Sequence, residues 1–255
     1  MDFQQELAVK SYCFREFKDA ATLAKMVLDC GVNRLDISRC HLDFTSRSAQ
    51  RQTIDTLRSA GITIVGLGVV TLQGDESADR PFFEFCRMAE CRTISISFEP
   101  AAWAKVINIA GRLCGEFGMR CAIHNHGGHH WLGNRTMLKH LFETTPDWLG
   151  LCLDTAWALD AGEDPVAWAQ SAGRRLTATH LKDFVFDRAG TPTDVVLGEG
   201  GLQLHDYINA LRNLNFDGPL AIEYEGDAND PVPALRECVQ VVRKLLSKRG
   251  SGCQG

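Results

Sequence analysis

The sequence predicts an α/β fold, a single (β/α)8 TIM barrel, on three observations. Strand-like and helix-like apolar periods alternate from end to end, eight such units fit into 255 residues, and polar side chains of metal-ligand type collect where the last four strands finish. Hydrophobic residues make up 45% of the chain and charged residues 23%, a balance that suits one large core better than two small ones. Residues 1–250 are expected to form the barrel, with 251–255 as a disordered tail.

The first unit opens with the apolar segment LAVKSYCF and continues from Asp19 into a helix in which Leu23, Val27 and Leu28 recur at helical spacing before Gly31. RLDIS reads as the second strand, followed by a helix from about Ser46 to Ala60. TIVGLGVV is the third strand, PFFEFCRMAE lies in the third helix, and TISISF is the fourth strand. The helix AWAKVINIAGRLCGEF then leads to the fifth strand RCAIHNH, and a helix through MLKHLFETT leads to the sixth, LGLCLD. A helix starting near Pro165 precedes the seventh strand LTATHLKD, and LHDYINALRNL precedes the eighth, PLAIEYE. A last helix runs from about Val232 to Lys248. Parallel neighbours need crossover helices, and the eighth strand pairs with the first to close the barrel. A doubly wound sheet is the alternative, but the Gly-rich turn after the first strand that marks a dinucleotide site is missing. LGEGG at 197–201 resembles a phosphate loop only weakly and is expected to supply backbone freedom before a helix.

Barrel chemistry collects at the carboxyl ends of the strands, and there the sequence is rich. Strand five ends in His124, Asn125 and His126, strand six in Asp154, strand seven in His180, Lys182 and Asp183, and strand eight in Glu223 and Glu225. Taken singly, an Asp or Glu at such a position is more often a helix cap or a solvated charge; four successive strands together point to a site. Side chains alternate along a strand, so His124 and His126 share one face, as do His180 with Lys182 and Glu223 with Glu225, while Asn125 and Asp183 turn away.

Imidazole nitrogen with carboxylate oxygen suits one divalent metal ion from the set Mn²⁺, Co²⁺, Zn²⁺, Ni²⁺, Fe²⁺ or Mg²⁺. His124 is expected as a ligand and His126 as a substrate contact, with His129 and His130 at the pocket rim. Lys182 is a candidate for holding an anionic oxygen or for proton transfer. His41 and Asp43 after the second strand, Arg15 after the first and Glu99 after the fourth line the same mouth. Trp131 and Trp157 are the aromatic residues nearest the proposed ligands in sequence, and so the best placed to stack on a sugar ring.

A net charge of −5 gives no broad attraction to nucleic acid or anionic lipid, so a small-molecule partner is expected and nucleic acid is not. No apolar run approaches the ~20 residues of a membrane span, and the N-terminus lacks a basic region followed by an apolar one, so a cytoplasmic protein is expected. The ten cysteines form no CxxC pair and several sit in apolar runs, as reduced, buried thiols do. The oligomeric state is left open, a homo-oligomer among the options.

The motifs IHNHGG, LCLDT, THLKDF, LGEGG and GPLAIEYE together resemble the xylose isomerase-like barrel superfamily, the sugar phosphate isomerase/epimerase group, over nearly the whole chain. The resemblance implies a divalent metal held by a strand-five Glu, a strand-six Asp, a strand-seven His and a strand-eight Glu. Carried over, the last three are Asp154, His180 and Glu223, while His124 stands where the sugar epimerases have Glu. Trp157 stands where ketose epimerases often carry His, and Phe186 where an arginine is expected, with Arg188 nearby. The expected activity is metal-dependent isomerisation or epimerisation of a small ketose, polyol or keto-sugar, with Glu223 as the single base and His126 or Lys182 as its acid partner. The rival expectations are a lyase or dehydratase on a keto-sugar or cyclitol, and a sugar-binding barrel without turnover.

Overall fold

The computed structural model describes residues 6–128 and 130–247. The proposed tail, 251–255, and His129 lie outside the described residues. Eight parallel strands close on themselves: β1 (Leu7–Lys10), β2 (Arg34–Ile37), β3 (Thr63–Thr71), β4 (Thr93–Ser97), β5 (Arg120–His124), β6 (Leu149–Asp154), β7 (Leu176–Leu181) and β10 (Leu220–Ile222). An antiparallel hairpin of β8 (Phe184–Phe186) and β9 (Pro192–Asp194) interrupts the pattern after β7. The chain is thus a single (β/α)8 TIM barrel with one inserted hairpin.

The crossover helices are α1 (Ala20–Asp29), α2 (Arg47–Ser59), α3 (Glu76–Ala89), α4 (Trp103–Phe117), α5 (Arg135–Glu143), α7 (Pro165–Ala172), α8 (Leu204–Asn213) and α9 (Val232–Ser247). Their starts follow side-chain caps: Asp19, Ser46, Asp75, Asn134 and Asp164 each accept a backbone N–H of the first turn. The main core lies between the strands and this helical ring, where Leu23, Leu57, Phe83, Phe85, Trp168 and Tyr207 are buried. Inside the barrel two clusters of mostly small residues, Ala8 with Val65 and Ala221, and Ala122 with Cys152 and Ala178, leave room for longer polar side chains above them. Among the described residues nine cysteines are free and eight of these are buried.

The structure differs from the sequence reading after strands six, seven and eight. A short helix, α6 (Thr155–Asp160), begins directly on Asp154. The barrel strand β7 stops at Leu181, and β10 covers only Leu220–Ile222, so Lys182 and Glu225 stand past the strand ends while Glu223 still donates its N–H to the Leu181 carbonyl at 2.9 Å. The hairpin was hidden because FVF and PTD are too short to carry a period.

Asp183, facing away from the barrel interior, builds the loop that follows the hairpin. Its Oδ2 accepts from the amides of Gly198 and Gly200, both at 3.0 Å, and its Oδ1 from Leu202 at 2.9 Å. Gly198 has φ +92°, and a Cβ on Gly200 would lie 2.4 Å from Asp183 Oδ1, so both glycines are required by this clamp. The amides of LGEGG are therefore filled by the chain itself, Gly198 and Gly200 by Asp183, Leu197 by Cys238, and Glu199 and Gly201 by backbone carbonyls. His41 makes a second anchor: it is buried, with Nε2 2.9 Å from the Ser11 carbonyl, tying the ends of β1 and β2 together.

Two stability experiments follow. Asp183→Ala strips three backbone amides of a charged acceptor and is expected to lower the unfolding free energy by roughly 3 kcal/mol in urea titration; a change below about 0.5 kcal/mol would contradict the clamp. Burial lowers the pKa of His41, against the opposing hydrogen bond to Ser11. Below about pH 6.5 the unfolded chain then binds the extra proton more readily. The contribution of His41 is whole above that pH and lost as pH falls toward the folded value. His41→Gln, which keeps a donor without titrating, is expected to flatten this part of the acid limb.

Candidate metal centre

Four strands deliver His124, Asp154, His180 and Glu223 to one point at the carboxyl end of the barrel. One ligand atom from each lies within 4.8 Å of those of the others. His124 is 5% exposed, Asp154 and His180 are fully buried, and Glu223 is 8% exposed. The closest approaches are His180 Nδ1 to Glu223 Oε2 at 3.0 Å and His124 Nε2 to Asp154 Oδ2 at 3.7 Å.

Local structure explains each placement. Asn125, on the opposite face from His124, pairs its amide with the backbone of Asp154: Nδ2 donates to Asp154 O at 3.0 Å and Asp154 N donates to Oδ1 at 2.7 Å. The side chain thereby extends the β5–β6 ladder by one rung. Asp154 Oδ1 accepts from the amides of Ala156 and Trp157 and so caps α6. The helix-cap reading of this aspartate is right for one oxygen; the other, Oδ2, is left for the cluster. The Thr155 hydroxyl donates to Lys182 O at 2.6 Å and accepts from Lys182 N at 2.9 Å, fixing the backbone beyond β7.

Buried polar atoms ordinarily have partners, and here they do not. His124 Nδ1, Asp154 Oδ2, His180 Nδ1 and Glu223 Oε2 are buried without a hydrogen bond, and the 3.0 Å approach of the last two is not aligned as one. Asp154 Oδ2, His180 Nδ1 and Glu223 Oε2, left unpaired around one point with an imidazole nitrogen of His124 beside them, fit a divalent cation of borderline hardness. Two of these residues are also braced from outside, as metal ligands usually are: Asp154 by the amides at the start of α6, and His180 by a carboxylate. His180 Nε2 is 2.9 Å from Asp36 Oδ2, and Asp36 Oδ1 is 3.1 Å from Lys10 Nζ.

The electrostatics are those of tightly buried opposites. Burial works against charge on Glu223, but the close approach and charge of His180, with Lys182 and Lys10, hold its carboxyl below the usual range. Burial likewise works against charge on His180, and its neighbours Cys152, Asp36 and Glu223 outweigh it, raising the imidazole. Lys182 is 1% exposed, yet Glu223, Asp154, Glu225 and Asp194 raise its ammonium above the ordinary value. It is paired with Glu225, stands 3.7 Å from Asp194 and lies over the rings of Trp157 and Phe184 at 5.4 and 5.3 Å. Asp194 itself is pushed up to about 6, chiefly by burial. His126 is lowered to about 4 by burial and by His124 and His130, so it is neutral at physiological pH.

The other sequence candidates fall around this centre. His126 sits 5.3 Å from His124, centroid to centroid, and 4.2 Å from His130. Trp131 is half-buried edge-on to Phe98, and Trp157 stands edge-on to Phe184. Arg15 donates to the Glu225 backbone carbonyl at 3.2 Å. Glu225 is occupied with Lys182 and Glu99 is exposed, so neither joins the four-residue group. Asp43 is exposed and bonds Thr45. Sequence reading passed over Lys10, Asp36 and Asp194. The signal for the first two was a charge within a short apolar strand, LAVK and RLDI; nothing marked Asp194 before the hairpin was seen.

Comparison with known proteins gives a consistent picture. A family model described as xylose isomerase-like TIM barrel matches residues 45–245. The rhizopine catabolism protein MocC of Rhizobium meliloti is 28% identical over 143 residues, 51% of this chain and 43% of that protein. Inosose dehydratase of Clostridium tetani is 28% identical over 140 residues, 49% of this chain and 46% of that enzyme. The matched region thus spans less than half the length of either curated relative. The structure of the IOLI protein with a bound zinc atom superposes with a TM-score of 0.77 at 14% identity, covering 97% of this chain and 100% of that one. With its family motifs spread over four strand ends and its barrel closed by eight parallel strands, the chain belongs to the xylose isomerase-like TIM barrel family.

Proposed function

We propose that the protein is a metal-dependent isomerase or epimerase of a small ketose, polyol or keto-sugar. The observation that carries this reading is the convergence of ligand atoms from four buried side chains at the carboxyl face of the barrel, with those of Asp154, His180 and Glu223 left without hydrogen-bond partners. His124, Asp154, His180 and Glu223 would hold one divalent ion. Such an ion, when bound, polarises a substrate carbonyl and acidifies the adjacent C–H.

The chain supplies the rest. Glu223 gives one carboxylate oxygen to the donor set and keeps the other to take and return the proton next to the carbonyl. Lys182, locked as a cation between Glu225, Asp194 and the ring of Trp157, donates to a substrate oxygen and steadies negative charge on it. Neutral His126 hydrogen-bonds a hydroxyl, while His41, tied to Ser11, holds the strand ends beneath the mouth. Trp131 and Trp157 cover the apolar faces of the sugar. A single carboxylate base suffices for moving a proton between neighbouring carbons on one face.

Elimination is the second reading, favoured by the likeness to inosose dehydratase and by His124, which removes the second glutamate that a two-base epimerase uses. A base beside an acid is all that loss of a β-hydroxyl requires.

Elemental mass spectrometry on tag-free protein is expected to find close to one divalent ion per chain, lost in His180→Ala and His124→Ala. Absence of metal after reconstitution with Mn²⁺, Co²⁺ and Zn²⁺ would sink the mechanism. For the loaded enzyme, keto-sugars incubated in deuterated water are expected to gain deuterium next to the carbonyl. Glu223→Gln should slow this about 10²–10⁴-fold. In ordinary water, a product of unchanged mass identifies isomerisation, and loss of one water identifies elimination.

A further inference from the structure

Two buried charges that face the interior of the barrel are not used by the chemistry just described. Lys10 on β1 and Asp36 on β2 are each 2% exposed and are ladder partners across the two strands. A buried ion pair of this kind adds little net stability, because desolvating both groups offsets most of their attraction. Its position therefore calls for another reason, and the geometry gives one.

The two oxygens of Asp36 are divided. Oδ1 faces Lys10 Nζ at 3.1 Å, and Oδ2 faces His180 Nε2 at 2.9 Å, across the barrel interior and 144 positions away in sequence. Lys10 Nζ also donates to the Gly68 carbonyl at 2.5 Å, so the ammonium is itself anchored to β3. The backbone makes space for the carboxylate: the β2–β3 register shifts between Leu35 and Asp36, and Asp36 then pairs with Gly66. A Cβ at Gly66 would already stand 3.3 Å from Asp36 Oδ1.

An ionised carboxylate accepts hydrogen bonds and donates none, so the hydrogen between Asp36 and His180 must sit on Nε2. The ring's other nitrogen, Nδ1, is then directed at the remaining donors of the cluster, and Nδ1 is the buried atom that has no hydrogen bond. We propose that Asp36, anchored by Lys10, is a positioning residue of the metal centre that holds His180 in the Nε2–H tautomer and aims Nδ1 at the ion. This rests on the metal-centre reading above.

The test separates orientation from mere charge balance by using two neutral pairs of nearly the same shape. Lys10→Met/Asp36→Leu removes both charges and the acceptor; Lys10→Met/Asp36→Asn removes both charges but retains an acceptor for Nε2–H. Zinc affinity, measured by competition with a chromogenic chelator, is expected to fall 10–100-fold in the Leu variant and to recover most of that loss in the Asn variant. Thermal unfolding of the metal-free forms checks that both variants fold. Equal affinities in the Leu and Asn variants, with stoichiometric metal in the wild type, would overturn this inference alone. A wild type that binds no metal would overturn both it and the reading beneath it.

A further measurement needs no variant. In zinc-loaded wild type, ¹⁵N NMR of the histidines is expected to show His180 with a protonated Nε2 in slow exchange with solvent. Protonation at Nδ1 would overturn the proposal.

Discussion

The candidate centre at the mouth of this barrel depends on dividing Asp154 and His180 each between the protein and the cluster. A carboxylate or imidazole withdrawn from water needs compensation, and one wholly satisfied by protein has nothing left to offer a ligand. Asp154 gives one oxygen to the first turn of α6 and keeps the other. His180 gives one nitrogen to Asp36 and keeps the other. The fold meets half of the desolvation cost with fixed protein groups, and the unsatisfied half defines a binding site whose geometry the backbone sets.

The same rule separates the residues that resemble a site from those that form one. Asp183 lies in the same strand-end motif as His180 and Lys182, but both its oxygens are taken by the amides of Gly198, Gly200 and Leu202. It is a loop former with no capacity to spare. LGEGG is likewise closed to an external anion, because its amides are taken by that carboxylate and by other groups of the chain. Lys182 lies between these cases: its charge is balanced by Glu225 and Asp194, yet it stays beside the aromatic wall at the opening.

Much of this was legible in the sequence because the barrel imposes two strong periods. Helical spacing and strand alternation marked the eight units, and alternation alone placed His124 with His126 and turned Asn125 away. The residues that escaped notice act across the barrel or within insertions too short to show a period. Asp36 sits 144 positions from the histidine it touches, and no local pattern connects them. The β8–β9 hairpin contributes Asp194 from a three-residue strand. The helix α6 was missed because its six residues begin on the strand's last aspartate, where a sequence reader assigns one role to one residue and this chain assigns two.

That shared residue ties two parts of the pocket into one mechanical unit. The carboxylate that faces the cluster also starts the helix carrying Trp157, and Trp157 stands over the ammonium of Lys182 and against Phe184. The wall cannot slide relative to the ligand without breaking the first turn of its own helix. The shape of this wall is therefore open to change through the side chain at 157, since shifting the backbone beneath it would drag Asp154 out of the cluster. The shape of the wall and the geometry of the cluster thus rest on separate parts of one unit, an indole on the helix and the aspartate that starts it.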